Sequence, residues 1–100
     1  SAPLYIICMK AVDACWVRPQ DGKSHGDIDV AIATEHLCLA AAERGLGCCW
    51  VCNYKVAKLA ELFPRPVYEA IAVIPIGHIA PDCPINEKKR KPLEEITETV

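Results

Sequence analysis

Residues able to do chemistry gather in three stretches of this sequence. The first is Gly45-Leu46-Gly47, running into Cys48-Cys49-Trp50-Val51-Cys52-Asn53. Glycines at a helix-to-strand junction let the backbone approach a planar ligand closely and leave amides free to bond it. They serve equally as a plain helix cap and tight turn. The second stretch is Cys49-x-x-Cys52. In a thiol redox pair of that spacing one thiolate attacks and the other resolves. On a strand, residues three apart point to opposite faces, so this pair reads as buried thiols. The third is Lys88-Lys89-Arg90-Lys91 before Pro92. Such a run is either a solvated tail or a phosphate clamp, because an arginine fork and a lysine point charge both suit a phosphate dianion. Zinc is not indicated, since no second Cys/His pair stands at ligand spacing and His25, His36 and His78 are scattered. His36 falls mid-helix and reads as a core or interface residue.

Elements must position these groups, and the composition says a folded chain can supply them. The sequence has 100 residues, 52% hydrophobic and 24% charged, which fits one small globular domain and argues against disorder. A chain of this size buries only about 60–65% of its unfolded surface, so a partner or cofactor would help it. The net charge of -2 gives no electrostatic reason to expect nucleic acid. No run approaches the roughly 20 apolar residues of a membrane span. The apolar start, Ala2 to Met9, lacks a basic leader region and reads as a strand. Seven cysteines cannot all pair within one chain, and their spacing is not that of a secreted scaffold. Cys8 and Cys38 sit in apolar runs as small hydrophobes, and a reducing cytoplasm is the expected setting.

The element order reads β-α-β-α-β. Residues 3–9 form a buried strand, followed by a long polar loop, 13–26, turning at Pro19-Gln20-Asp21-Gly22. A helix then starts with Ser24 or Asp27 as its cap, Asp27 and Asp29 at its positive end, and Arg44 and Gly45 closing it. Ile28, Ile32, Glu35, Leu39 and Ala42 trace one helical face, and Ala31, Cys38 and Ala41 widen the apolar sector. Burial on more than one side is expected, with a second subunit or a further half of the domain against it. Residues 48–52 form the next strand. Residues 55–63 form a short helix with Val56, Leu59, Ala60 and Phe63 on one face, stopped by Pro64 and Pro66. Residues 68–76 form a third strand, in which Pro75 marks an edge or exit. The first strand reads as central. From about residue 78 the chain becomes a polar arm.

Taken together, these residues resemble a known family. Gly26-Asp27-Ile28-Asp29-Val30-Ala31-Ile32-Ala33-Thr34-Glu35-His36-Leu37, Leu39-Ala40-Ala41-Ala42 and Gly45-Leu46-Gly47-Cys48-Cys49-Trp50-Val51 resemble the long helix and "G-L-G-x-x-W-I" strand of nitroreductases dependent on flavin mononucleotide (FMN). Pro75-Ile76-Gly77 resembles the family's "P-x-G" strand end, and Lys88 to Glu95 its "K-x-R-x-P-L-E-E" arm. The family's "R-R-S-x-R" and "S-x-x-N-x-Q-P-W" motifs do not occur here.

The resemblance implies an α+β fold, a three-layer α/β sandwich, of which residues 1–100 would be the C-terminal part and 78–100 an extended arm. It implies a homodimer whose two flavin sites lie between subunits. It implies hydride transfer from NAD(P)H through FMN to a nitroaromatic or quinone-like acceptor. Trp50, Val51, Cys52 and Asn53 would pass the isoalloxazine ring, and Lys88 and Arg90 would meet the FMN phosphate. Cys52 stands where some members carry Gly or Glu. With the arginine-rich motif absent, only part of a flavin site is expected in this chain. The competing reading is a non-catalytic dimerising module without flavin.

Overall fold

A computed structural model describes residues 2–100. Its elements are β1 (Leu4–Ala11), α1 (Gly26–Glu43), β2 (Leu46–Cys48), α2 (Val56–Leu62) and β3 (Tyr68–His78), with a 3-10 turn at Leu93–Glu95. The order β-α-β-α-β is the one the sequence implies, and the mixed α/β class with it.

The sheet runs β1-β3-β2, and both pairings are antiparallel. So β3 is central and β1 is an edge among the described residues, the reverse of what the apolar run at β1 suggests. The eleven residues of β3 pair with β1 from Tyr68 to Ile76 and with β2 from Ile76 to His78. Alternation then sets the core. Ala72, Ile74 and Ile76 of β3 turn to α1 and meet Cys38 and Ala41, with Ile6, Cys8, Leu37, Leu46 and Cys48 around them. Burying Ile74 completely is worth about 2–3 kcal/mol.

Pro75 does not end β3; it lies inside it, facing Tyr5. Gly47 faces Gly77 and Val51 faces Val73, so one register holds on both sides of a gap in the β2 side of the ladder. In that register Pro75 stands opposite Cys49. Proline has no N–H to give, and the ladder breaks there. For the same reason β2 is only three residues long and not the 48–52 strand expected.

A bulge between Cys8 and Met9 shifts the β1 register so that Lys10 faces Glu69. Without the extra residue on β3 it would face Ala70. The Lys10 ammonium then bonds Asp27 at the start of α1 at 2.6 Å and Glu69 at 3.1 Å, tying three elements together.

Helix α1 turns a narrow face to the sheet: Thr34, Cys38 and Ala41 are buried, while Ile28, Ile32 and Leu39 are 44%, 54% and 59% exposed. The face traced by large residues is therefore the outer one. With apolar residues on every side between Val30 and Ala42, α1 carries no clear periodic signal to choose a face, and small residues let it approach the strands closely. His36 is exposed, not in the core. Neither Ser24 nor Asp27 caps the helix; His25 holds that position without a side-chain bond, and Asp27 is taken by Lys10. At the other end Arg44 bonds Ala40 O, and Gly45 adopts φ 69° as the αL terminator expected. The loop before α1 is a small hairpin, with Val17 bridged to Ser24 and Arg18 bonded to Asp21. Helix α2 buries none of its residues.

Candidate functional site

Beyond the Pro75 gap, the chain rejoins β3 at one point. Val51 and Val73 exchange two backbone hydrogen bonds, at 3.1 and 2.9 Å. In an antiparallel pair the residues flanking such an exchange direct their peptide groups away from the partner strand. Trp50 and Cys52 thus aim theirs at the open edge of the sheet. Three residues on, the Tyr54 hydroxyl donates to Ala70 O at 2.8 Å, and burial pushes its pKa above the usual phenol value. The segment between is held at both ends. Trp50 is 37% exposed, Val51 is half-buried, and Cys52 and Asn53 are exposed.

The thiols divide by environment. Cys38 is buried, and burial pushes its pKa up to about 11, with Cys48 adding to the rise and the Trp50 indole opposing it. Cys49 and Cys52, expected to be buried, are both exposed. Strand alternation would have covered one of them, but neither lies in a strand. Among the described residues no three His, Cys, Asp or Glu side chains converge as a metal site.

Lys88 and Arg90 lie in the extended arm beyond β3. Both are exposed, and among the described residues neither makes an ion pair or a hydrogen bond. Among the described residues no hydrogen bond or ion pair joins them to Trp50, Val51, Cys52 or Asn53, and the clefts bordered by Lys10, Thr34 and Cys49 are lined by none of these six residues. The strand segment and the arm are two separate half-surfaces.

Sequence reasoning passed over Lys10. Its ammonium is engaged by two carboxylates, and those bonds, Asp27 first and Glu69 second, raise its pKa. A lysine so held has no lone pair to act as a base, so its role is structural. The available signal was a cation ending one apolar strand and an anion opening another. Also unforeseen is the edge-on contact of Trp16 and His25, whose ring centres are 4.8 Å apart.

With the geometry in view, known proteins locate the fold. The nitroreductase family model matches residues 1–78, and the chain belongs to the nitroreductase family. A nitroreductase family protein from Clostridium difficile 630 superposes with a TM-score of 0.90 at 38% identity, over 98% of this chain and 59% of its own. One from Clostridium novyi NT gives 0.69 at 29% identity, over 77% of this chain and 43% of its own. One from Streptococcus pneumoniae TIGR4, at 21% identity and a TM-score of 0.67 over 74% of this chain and 36% of its own, shares the fold. The chain thus spans less than two thirds of the length of each. No curated protein matches. The arm lies outside the family match but inside the region shared with the C. difficile structure. Among the described residues no helix is long and apolar enough to cross a membrane.

Proposed function

We propose that this chain is the C-terminal part of a nitroreductase-like domain, with residues 78–100 as its arm, and that it contributes to a flavin-dependent oxidoreductase. The reaction is hydride transfer from NAD(P)H by way of FMN to a nitroaromatic or quinone-like acceptor, in a cytoplasmic homodimer that needs neither nucleic acid nor membrane.

The residues present fit FMN on two counts. At the open edge of the sheet beyond β2, the peptide groups of Trp50 and Cys52 have no strand partner among the described residues, and such groups suit the polar edge of a planar ring. In the arm, Lys88 and Arg90 are cations without an anion, as a phosphate dianion requires. When bound, FMN supplies hydride acceptance and onward delivery of electrons, which no side chain of this protein can do. Trp50, Val51, Cys52 and Asn53 orient the ring and screen one edge from water. Lys88 and Arg90 hold the phosphate. Family membership together with this unpartnered edge carries the reading.

Surface supports a covering partner, either a second subunit or the rest of the domain. The chain exposes 8366 Å², whereas a compact monomer of its mass would expose about 5,600 Å². The exposed surface includes Ile28, Ile32 and Leu39 on the outer face of α1. Patches of that kind are normally covered.

Arg90→Ala tests the clamp. Flavin titration of the intact protein should show FMN binding weakened by about 1.5–3 kcal/mol, as for a lost hydrogen bond to a charged group. Equal affinity in the variant would remove Arg90 from the site.

A further inference from the structure

Outside the proposed flavin surface, a cleft of about 450 Å³ lies between the tip of the sheet and the root of the arm. Its walls include Pro3, Gly47, Cys48, Cys49, His78 and Cys83. Cys49 and Cys83 are both free and exposed. They come from distant parts of the chain, one just past β2 and one in the turn that follows β3.

The backbone explains why they share a cleft. Cys49 stands opposite Pro75, where the ladder is broken, so its segment is not locked by hydrogen bonds to β3. On the β2 side, Gly47 and Cys49 both border the cleft. After His78 the chain folds back over that side: a Cβ on Gly47 would lie 2.8 Å from Ile79 Cγ1. The turn from Ala80 to Cys83 is closed by a 3.0 Å hydrogen bond from Cys83 N to Ala80 O. That turn brings Cys83 to the wall of the cleft that Cys49 also lines.

We propose that Cys49 and Cys83 are a dithiol site that small disulfides oxidise reversibly, the product being an intramolecular disulfide that ties the root of the arm to the end of β2. One thiolate attacks a sulfur of the oxidant, such as oxidised glutathione, and a glutathione thiolate leaves. The second cysteine thiolate then attacks the protein sulfur of the mixed disulfide, and the second glutathione thiolate leaves. The protein gives up two electrons and two protons, and the oxidant becomes two thiols. Cys38 takes no part, because burial keeps its thiol protonated. Cys48 also lines the cleft but is half-buried, with its thiol directed at Cys38 O, and Cys52 is exposed but does not line the cleft. The linkage would join the two half-surfaces assigned to flavin, and that consequence rests on the flavin reading; the disulfide itself does not.

The test is disulfide mapping of the intact protein after treatment with oxidised glutathione, alkylation of remaining thiols and trypsin digestion. Peptides 45–55 and 59–88 should be recovered joined, with the protein lighter by about 2 Da, and dithiothreitol should separate them. Since peptide 45–55 holds Cys48, Cys49 and Cys52, variants assign the bond. The cross-link should vanish in Cys49→Ser and in Cys83→Ser and persist in Cys48→Ser and Cys52→Ser. A cross-link that survives Cys49→Ser would overturn the proposal. So would recovery of Cys49 and Cys83 only as separate glutathione adducts or alkylated thiols.

Discussion

Gly26→Ala places a methyl group where α1 begins and where three elements already touch. Gly26 is buried, and a Cβ built on it would lie 2.2 Å from Cys15 Sγ, 3.1 Å from Cys15 Cβ and 3.0 Å from Lys10 Cδ. Favourable non-bonded contact begins at about 3.5–4.0 Å, so the sulfur must retreat by more than about 1 Å. It is not free to do so, because the Cys15 thiol bonds Ala11 O at 2.9 Å. The Lys10 stem is pinned as well, its ammonium being held by Asp27 and Glu69. Overpacking of this kind costs about 1–3 kcal/mol. The helix preference of alanine over glycine returns up to about 1 kcal/mol, and less at a first helical residue. The net expectation is a loss of roughly 1–2 kcal/mol. Urea unfolding should show a lower midpoint at unchanged slope. In a Cys15→Ala background the sulfur is gone and the penalty should shrink by about 1 kcal/mol or more. A Gly26→Ala protein as stable as the parent would refute the reasoning, as would an identical penalty in both backgrounds.

Two further substitutions probe single groups. Thr34 is 2% exposed and its hydroxyl has no hydrogen-bond partner among the described residues, so Thr34→Val should be neutral or stabilising by up to about 1–2 kcal/mol; a clear loss in urea unfolding would mean the hydroxyl is satisfied. Tyr54→Phe removes the bond to Ala70 O and should cost about 0.5–1.5 kcal/mol. It should also speed hydrogen exchange of the Val51 amide, whose neighbourhood it anchors. An unchanged exchange rate would show that Trp50–Asn53 is held by other means.

The sequence is most informative where local chemistry is one-sided. Gly45 ends α1 because αL backbone costs glycine nothing, and Pro64 stops α2 because it cannot continue a helix. The uninterrupted apolar run at Ala70–Ile74 belongs to a strand flanked on both sides. Much of the rest depends on partners that periodicity does not name. The outer face of α1 is as apolar as its inner one, so Ile28 and Thr34 could not be told apart by pattern, and the smaller residue went inward. Pro75 reads as a strand end, yet it is accommodated mid-strand because its missing donor points at the one place where β2 is interrupted. Lys10, Asp27 and Glu69 are ordinary surface charges until a one-residue bulge aligns them. For the candidate site, Trp50 to Asn53 was legible as a short segment beside two glycines. Its open edge was not, since that follows from the register of a strand some twenty residues later. The expected burial of Cys49 and Cys52 failed for the same reason: with the ladder broken, strand alternation no longer governs them.

Flavin binding is the property on which the proposed function depends. Purification of the intact protein, followed by an absorption spectrum and titration with FMN, tests it directly. Retained or recovered flavin absorbance, bleached on addition of NADH or NADPH, is the predicted result. A colourless protein that takes up no FMN when supplied with it would contradict the central claim and leave the apolar helix as a dimerising surface alone.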